Sequence, residues 1–145
     1  MPMFDEIKGF GFTFKRLFRK DMTIEYPDER MPLSDRFRGL PVLRTDPDTH
    51  EALCVGCSLC ERICPTQCIA IEFHPGVGDG ERDVVAYTLD AGRCMYCGLC
   101  AKSCPVDAIT MSNAFELTVL SREGLIYQKS QLAEIGDQAR EYFAQ

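Results

Sequence analysis
The spacing of apolar residues changes along the chain, and each change predicts a different element. At 100° per residue, Phe4, Ile7, Phe10, Gly11, Phe14, Leu17 and Phe18 fall within roughly a 140° arc. Lys8, Lys15, Arg16, Arg19 and Lys20 take the opposite side. The pattern predicts an amphipathic helix over residues 4–20; Phe12 breaks the split, and Gly9 and Gly11 weaken it. Residues 21–50 are rich in Pro, Asp and Arg and read as extended. The runs Ile69–Phe73 and Val84–Leu89 flank a loop carrying Pro75, Gly76, Gly78 and Gly80, which predicts strand, turn, strand. Leu132, Ile135, Ala139 and Tyr142 return to helical spacing and predict an amphipathic C-terminal helix. No apolar run approaches the ~18 residues needed to span a bilayer, so any membrane link is expected to be peripheral.

Length and charge narrow the classes. A chain of 145 residues with 46% hydrophobic and 26% charged positions is one modest domain with extensions, neither disordered nor a membrane bundle. A net charge of −6 argues against a nucleic-acid binder, which carries a basic footprint. The charge is uneven: residues 1–46 hold 9 basic and 8 acidic residues, the remainder 7 and 14. The front of the chain can approach a polyanionic surface; the back cannot.

Nine cysteines change the picture most. An odd count fits a disulfide framework poorly, and Met-Pro-Met-Phe-Asp-Glu-Ile-Lys has no apolar signal core. A reducing compartment is therefore expected, where clustered cysteines mean metal or redox chemistry. Cys54, Cys57, Cys60, Cys64 and Pro65 form one C-x2-C-x2-C-x3-C-P run; Cys94, Cys97, Cys100, Cys104 and Pro105 form a second, 40 residues on at every position. The offset continues, with Ile69 mapping onto Ile109 and Ile71 onto Met111, so one supersecondary unit is used twice. It maps the ninth cysteine, Cys68, onto Ala108. Position 68 therefore reads as a small buried side chain, with a redox or alternative-ligand role as the competing reading.

The spacing has a chemical reason. Three cysteines at intervals of three turn three thiolates toward one point. The fourth is displaced by one extra residue and stopped by a proline, which pushes the cysteine before it toward extended geometry. Zinc is the alternative, but four-cysteine zinc sites usually take two C-x2-C knuckles separated by a longer stretch. The runs resemble those of bacterial two-cluster ferredoxins, an α+β fold with a pseudo-two-fold internal repeat. That resemblance implies two [4Fe–4S] clusters, the fourth cysteine of each run ligating the other cluster. Cluster one would take Cys54, Cys57, Cys60 and Cys104, and cluster two Cys94, Cys97, Cys100 and Cys64. With only about 60 residues in the repeat, the clusters would staple the fold, and the apo form is expected to be unfolded or molten.

With all eight thiols used, no iron is left open for substrate, and no catalytic residue is assigned. No glycine-rich phosphate loop precedes a helix. His50 and His74 sit in polar, turn-like stretches and read as solvated loop residues rather than ligands. The chain reads as an electron carrier without a substrate site of its own.

The segment before the cysteines separates the remaining readings. The basic, Phe-rich helix suits the headgroup layer of a membrane or a membrane-arm subunit, against packing on a soluble domain. The Arg, Phe and Tyr that follow are interface residues, against a solvated linker. T-I-E-Y-P-D-E from Thr23, R-F-R-G from Arg36, C-V-G-C-S-L-C-E-R-I-C-P from Cys54 and C-M-Y-C-G-L-C-A-K-S-C-P-V-D-A-I from Cys94 resemble subunit I of NADH-quinone oxidoreductase, respiratory complex I, over about residues 10–130. The resemblance implies a peripheral subunit on the cytoplasmic side of the inner membrane. It relays electrons through two [4Fe–4S] clusters toward the quinone-proximal cluster of a proton-translocating assembly. Other subunits bind NADH and quinone, and the N-terminal helix lies along the membrane arm. Cys68 departs from the alanine-like residue usual there. The short chain without a mitochondrial-type presequence points to a prokaryotic form. The expected plan is a membrane-surface helix over 1–21, a subunit-contact arm over 22–50, the ferredoxin domain over 51–113 and a tail over 114–145. The rivals are the equivalent subunit of a membrane-bound hydrogenase or ferredoxin-fed complex, and a free soluble ferredoxin. Anaerobically prepared protein should contain about eight irons and eight sulfides per chain; zinc, or half that iron, would overturn the cysteine reading.

Overall fold
The computed structural model describes residues 3–20, 22–34, 36–47, 49, 51–74 and 84–143. His50 and the expected glycine-rich loop from Pro75 to Gly80 lie outside the described residues. The chain divides into two units, Met1–Pro32 and Leu33–Gln145.

In the first unit the apolar period of 3.6 produces helix α1 (Met3–Leu17). It ends three residues before the sequence pattern does, so Phe18, Arg19 and Lys20 lie beyond its last turn. Lys15 and Arg16 occupy that turn, where cations complement the free carbonyls of a helix C-terminus. Ile7, Phe10, Phe14 and Leu17 are exposed, Phe10 by 78%. No helix among the described residues is long and apolar enough to cross a membrane.

The second unit is α+β. Its elements run β1 (Pro41–Leu43), α2 (Leu59–Ile63), β2 (Ile69–Phe73), β3 (Val84–Asp90), α3 (Leu99–Ser103), β4 (Ile109–Met111), a 3-10 turn (Arg122–Leu125), β5 (Ile126–Gln128) and α4 (Lys129–Phe143). β2 and β3 are the two strands read from the sequence, paired antiparallel with Ile69 opposite Leu89 and Ile71 opposite Tyr87. β5 adds to the other edge of β3, with Tyr127 opposite Leu89. β1 pairs antiparallel with β4, Val42 opposite Thr110. The alternation that buries Ile69 and Ile71 on one face while Ala70 and Glu72 stay exposed is the period of a half-buried strand.

The backbone echoes the 40-residue offset. α2 and α3 are five residues each and start 40 apart. Positive φ recurs in three pairs: Gly56 (65°) and Tyr96 (53°), Ser58 (56°) and Gly98 (75°), Gln67 (50°) and Asp107 (49°). Only one partner of each of the first two pairs is glycine; an L residue held there costs about 1–2 kcal/mol.

Two segments contribute more to the core than the sequence reading assigns them. Residues 39–45, expected within the contact arm, are built into the second unit. Leu40, Val42 and Leu43 are almost fully buried, and the Gly39 and Leu40 N–H groups donate to the carbonyls of Ser112 and Ala114. The second unit begins at Leu33 and so includes β1, which pairs with β4. The tail helix likewise seats Leu132 in the core at 1% exposure. α4 lies so close to β1 that a Cβ on Gly136 would stand 2.4 Å from the Leu43 carbonyl oxygen.

Gly136→Val should therefore lower the denaturant midpoint of the cluster-loaded protein by the equivalent of about 1–3 kcal/mol. Gly9→Ala, where nothing lies within 4 Å, should not lower it. Equal midpoints for Gly136→Val and the parent would refute the close helix–strand approach.

Candidate metal centre
Each cysteine run reaches its geometry through the same local steps. Two cysteines lie in the loop before a short helix, the third sits in its first turn, and the fourth caps its end. The helix stops because proline follows: Cys64 (φ −69°, ψ 114°) and Cys104 (φ −74°, ψ 117°) are both extended. That turn of the chain carries the fourth thiol away from its three predecessors.

α2 and α3 pack against each other, and the thiols then fall into two crossed sets. Cys54, Cys57 and Cys60 line a cavity together with Cys104, walled by Ile71 and Ile109. Cys94, Cys97 and Cys100 line another with Cys64, walled by Ile69, Leu89 and Met111. The structure thus brings all eight sequence-selected cysteines into two groups of four. Cys68 lines the second cavity as well; His74 is exposed and lines neither. Among the described residues, no three His, Cys, Asp or Glu side chains crowd together as a single metal ion requires. The four thiols of each group line a shared cavity, and four cysteine thiols are the donor set of an iron–sulfur cluster.

The sulfurs are met by hydrogen-bond donors. The Tyr96 N–H points at Cys94 Sγ over 3.4 Å, which explains the positive φ tolerated at Tyr96. The Ala108 N–H donates to Cys104 Sγ at 3.2 Å and the Cys68 N–H to Cys64 Sγ at 3.5 Å, again 40 residues apart. Tyr87, 3% exposed, aims its hydroxyl at Cys60 Sγ over 4.0 Å. Burial pushes the Tyr87 phenol far above its ordinary range, so it remains a donor.

Burial also raises most of the free thiols. Cys60 and Cys100 are pushed up to about 11, and Cys54 and Cys94 upward, in each case chiefly by desolvation. Burial acts on Cys64 in the same direction, but hydrogen bonds from Thr66 and Cys68 outweigh it and bring Cys64 down to about 7. A cluster held by these cysteines would have to displace protons from buried thiols, so its uptake would be opposed by acid.

Three residues of this centre are not singled out by sequence reasoning. Arg38 reaches across from the arm, its Nη1 donating to the Cys97 carbonyl at 2.7 Å; its signal was the R-F-R-G run. Tyr87 is hidden within a strand pattern. Thr66, whose hydroxyl lies 3.5 Å from Cys64 Sγ, is signalled only by its departure from Val106 at the offset.

Residues 53–108 match the family model described as a 4Fe-4S dicluster domain. A chain of the membrane-bound sulfane sulfur reductase, an archaeal respiratory membrane complex, superposes with a TM-score of 0.53 at 30% sequence identity. The match covers 77% of this chain and 55% of that one, so the protein spans about half the length of that relative. Eight cysteines in crossed groups and these matches together make residues 53–108 a 4Fe–4S dicluster ferredoxin domain, within a chain that resembles a subunit of a membrane-bound respiratory complex.

Proposed function
We propose that this chain is the electron-relay subunit of a membrane-bound respiratory oxidoreductase, holding one [4Fe–4S] cluster on Cys54, Cys57, Cys60 and Cys104 and another on Cys94, Cys97, Cys100 and Cys64. The observation that carries this reading is the crossing of Cys64 and Cys104 into opposite cavities. When bound, such clusters accept and release single electrons. The chain's own residues do the rest. Cysteine fills every coordination position, so substrate is kept off the iron. Ile69, Ile71, Leu89 and Ile109 exclude water, and the N–H groups of Tyr96, Cys68 and Ala108 stabilise charge on the sulfurs. Electrons then enter and leave through partner subunits, and the chemistry of donor and acceptor resides there.

For those partners we favour the NADH-quinone oxidoreductase reading, on the T-I-E-Y-P-D-E and R-F-R-G arm. Other subunits would bind NADH and quinone. α1 would lie on the cytoplasmic face of the membrane or along a membrane-arm subunit, its exposed Phe and Ile residues entering the interface and its Lys and Arg residues meeting anionic headgroups. The second reading is a related membrane complex with another donor or acceptor, favoured by the similarity to the sulfane sulfur reductase chain. Purified native complex that reduces quinone with NADH supports the first; sulfane sulfur reduction or hydrogen evolution without NADH activity supports the second.

Two variants probe the parts separately. Cys104→Ala should strip or alter the EPR signal of the cluster held by Cys54, Cys57 and Cys60 while sparing the other; the reverse would refute the crossed assignment. Removing residues 1–21 should release the protein from membranes with its iron content intact; loss of iron would show that the segment supports the domain rather than its attachment.

A further inference from the structure
The two halves repeat in backbone but not in the donors they offer their crossing thiol. Cys104 Sγ accepts one backbone N–H, from Ala108 at 3.2 Å. Cys64 Sγ accepts the equivalent N–H from Cys68 at 3.5 Å, and two side chains lie beside it. Thr66 Oγ1 stands 3.5 Å away and Cys68 Sγ 3.3 Å away. At the 40-residue offset these positions are Val106 and Ala108, which have no donor side chain. A coordinated Cys64 sulfur has no hydrogen to give, so in both contacts it can only accept; the Cys68 thiol also stands within reach of Cys94, so either acceptor of its hydrogen is a ligand of the same cluster. Cys68 is buried, 6% exposed, and lines the cavity shared by Cys64, Cys94, Cys97 and Cys100, so its S–H has no water to turn to.

Resting on the two-cluster reading above, we infer that Thr66 and Cys68 hold the cluster ligated by Cys64 at a higher reduction potential than its neighbour, so that an electron within the chain settles on the second cluster. Reduction adds one negative charge that spreads onto the ligand sulfurs. A hydrogen already pointed at a sulfur stabilises the reduced form more than the oxidised one. No bond forms or breaks: the hydrogens stay on oxygen and sulfur, one cluster is oxidised by one electron and the other reduced. The opposing contributions are smaller. Tyr87 offers Cys60 one hydroxyl at 4.0 Å, the outer limit for sulfur. The shorter backbone bond at Cys104 is a gain of 0.3 Å against two additional donors. Arg38 at the Cys97 carbonyl is common to the parent and the variants below, so substitution at positions 66 and 68 isolates the two donors from its charge. Thr66 and Cys68 are thus positioning residues acting through Cys64.

The test is an EPR-monitored redox titration of the full chain loaded anaerobically, with iron and sulfide counted for every sample. Thr66→Val/Cys68→Ala should lower the higher-potential wave by about tenfold in the reduction equilibrium, 59 mV for one electron, and leave the lower wave in place. Thr66→Ser in the parent should retain the parent potential. Val106→Thr, placing a hydroxyl beside Cys104, should raise the lower wave. Full iron with unmoved waves, or a shift of the lower wave in the double variant, overturns the proposal and leaves the two-cluster reading intact. Loss of iron from the double variant also overturns it, since those donors would then hold the cluster rather than set its potential. Half the iron in the parent would instead sink the two-cluster reading itself.

Discussion
The constraint on which the rest of the second unit depends is the exchange of one thiol between its halves. Cys64 leaves the end of α2 for the cavity of the second run, and Cys104 leaves the end of α3 for that of the first. Neither cavity is complete unless both helices are packed. Site formation and folding are therefore coupled, and clusters bound there would contribute directly to stability in a domain whose apolar core is small. The cysteines are themselves part of that core: Cys60 and Cys68 are buried in it, and Cys54, Cys64, Cys94 and Cys100 pack against it.

Duplication gives the two cavities a common frame, and small departures from it give them different electrostatics. The helices, extended caps and left-handed residues recur at a constant offset because the short loops between cysteines admit few backbone paths. Glycine at one copy and Tyr or Ser at the other shows that the path is demanded by the sulfurs and not by residue preference alone. Where side chains differ, as at Thr66 and Val106 or Cys68 and Ala108, backbone geometry is retained while the number of donors facing sulfur changes. On the proposed two-cluster reading, two sites in one repeated fold can thereby differ in electron affinity.

The additions around the ferredoxin domain serve different ends. β1 and α4 complete the fold: β1 closes the edge of β4, and Gly136 lets the helix settle on β1. Arg38 extends this support to the loop of the second cavity. α1 belongs to a separate unit, in which Phe10, Phe12 and Phe14 are exposed.

By itself the sequence determined the donor inventory, the duplication, strands β2 and β3 and the presence of helices near both ends. These follow from short-range rules: a proline after a cysteine, a three-residue interval, an alternation of two or a period of 3.6. The grouping of Cys64 and Cys104 with the opposite runs was legible only through resemblance, since spacing says that the fourth thiol turns away but not where it goes. Packing alone decided the recruitment of residues 39–45 as core, the reach of Arg38 to Cys97 and the gathering of Thr66 and Cys68 around one sulfur. Those contacts depend on how distant segments dock, or on which way a side chain must turn once its surroundings are filled, and no local period encodes either.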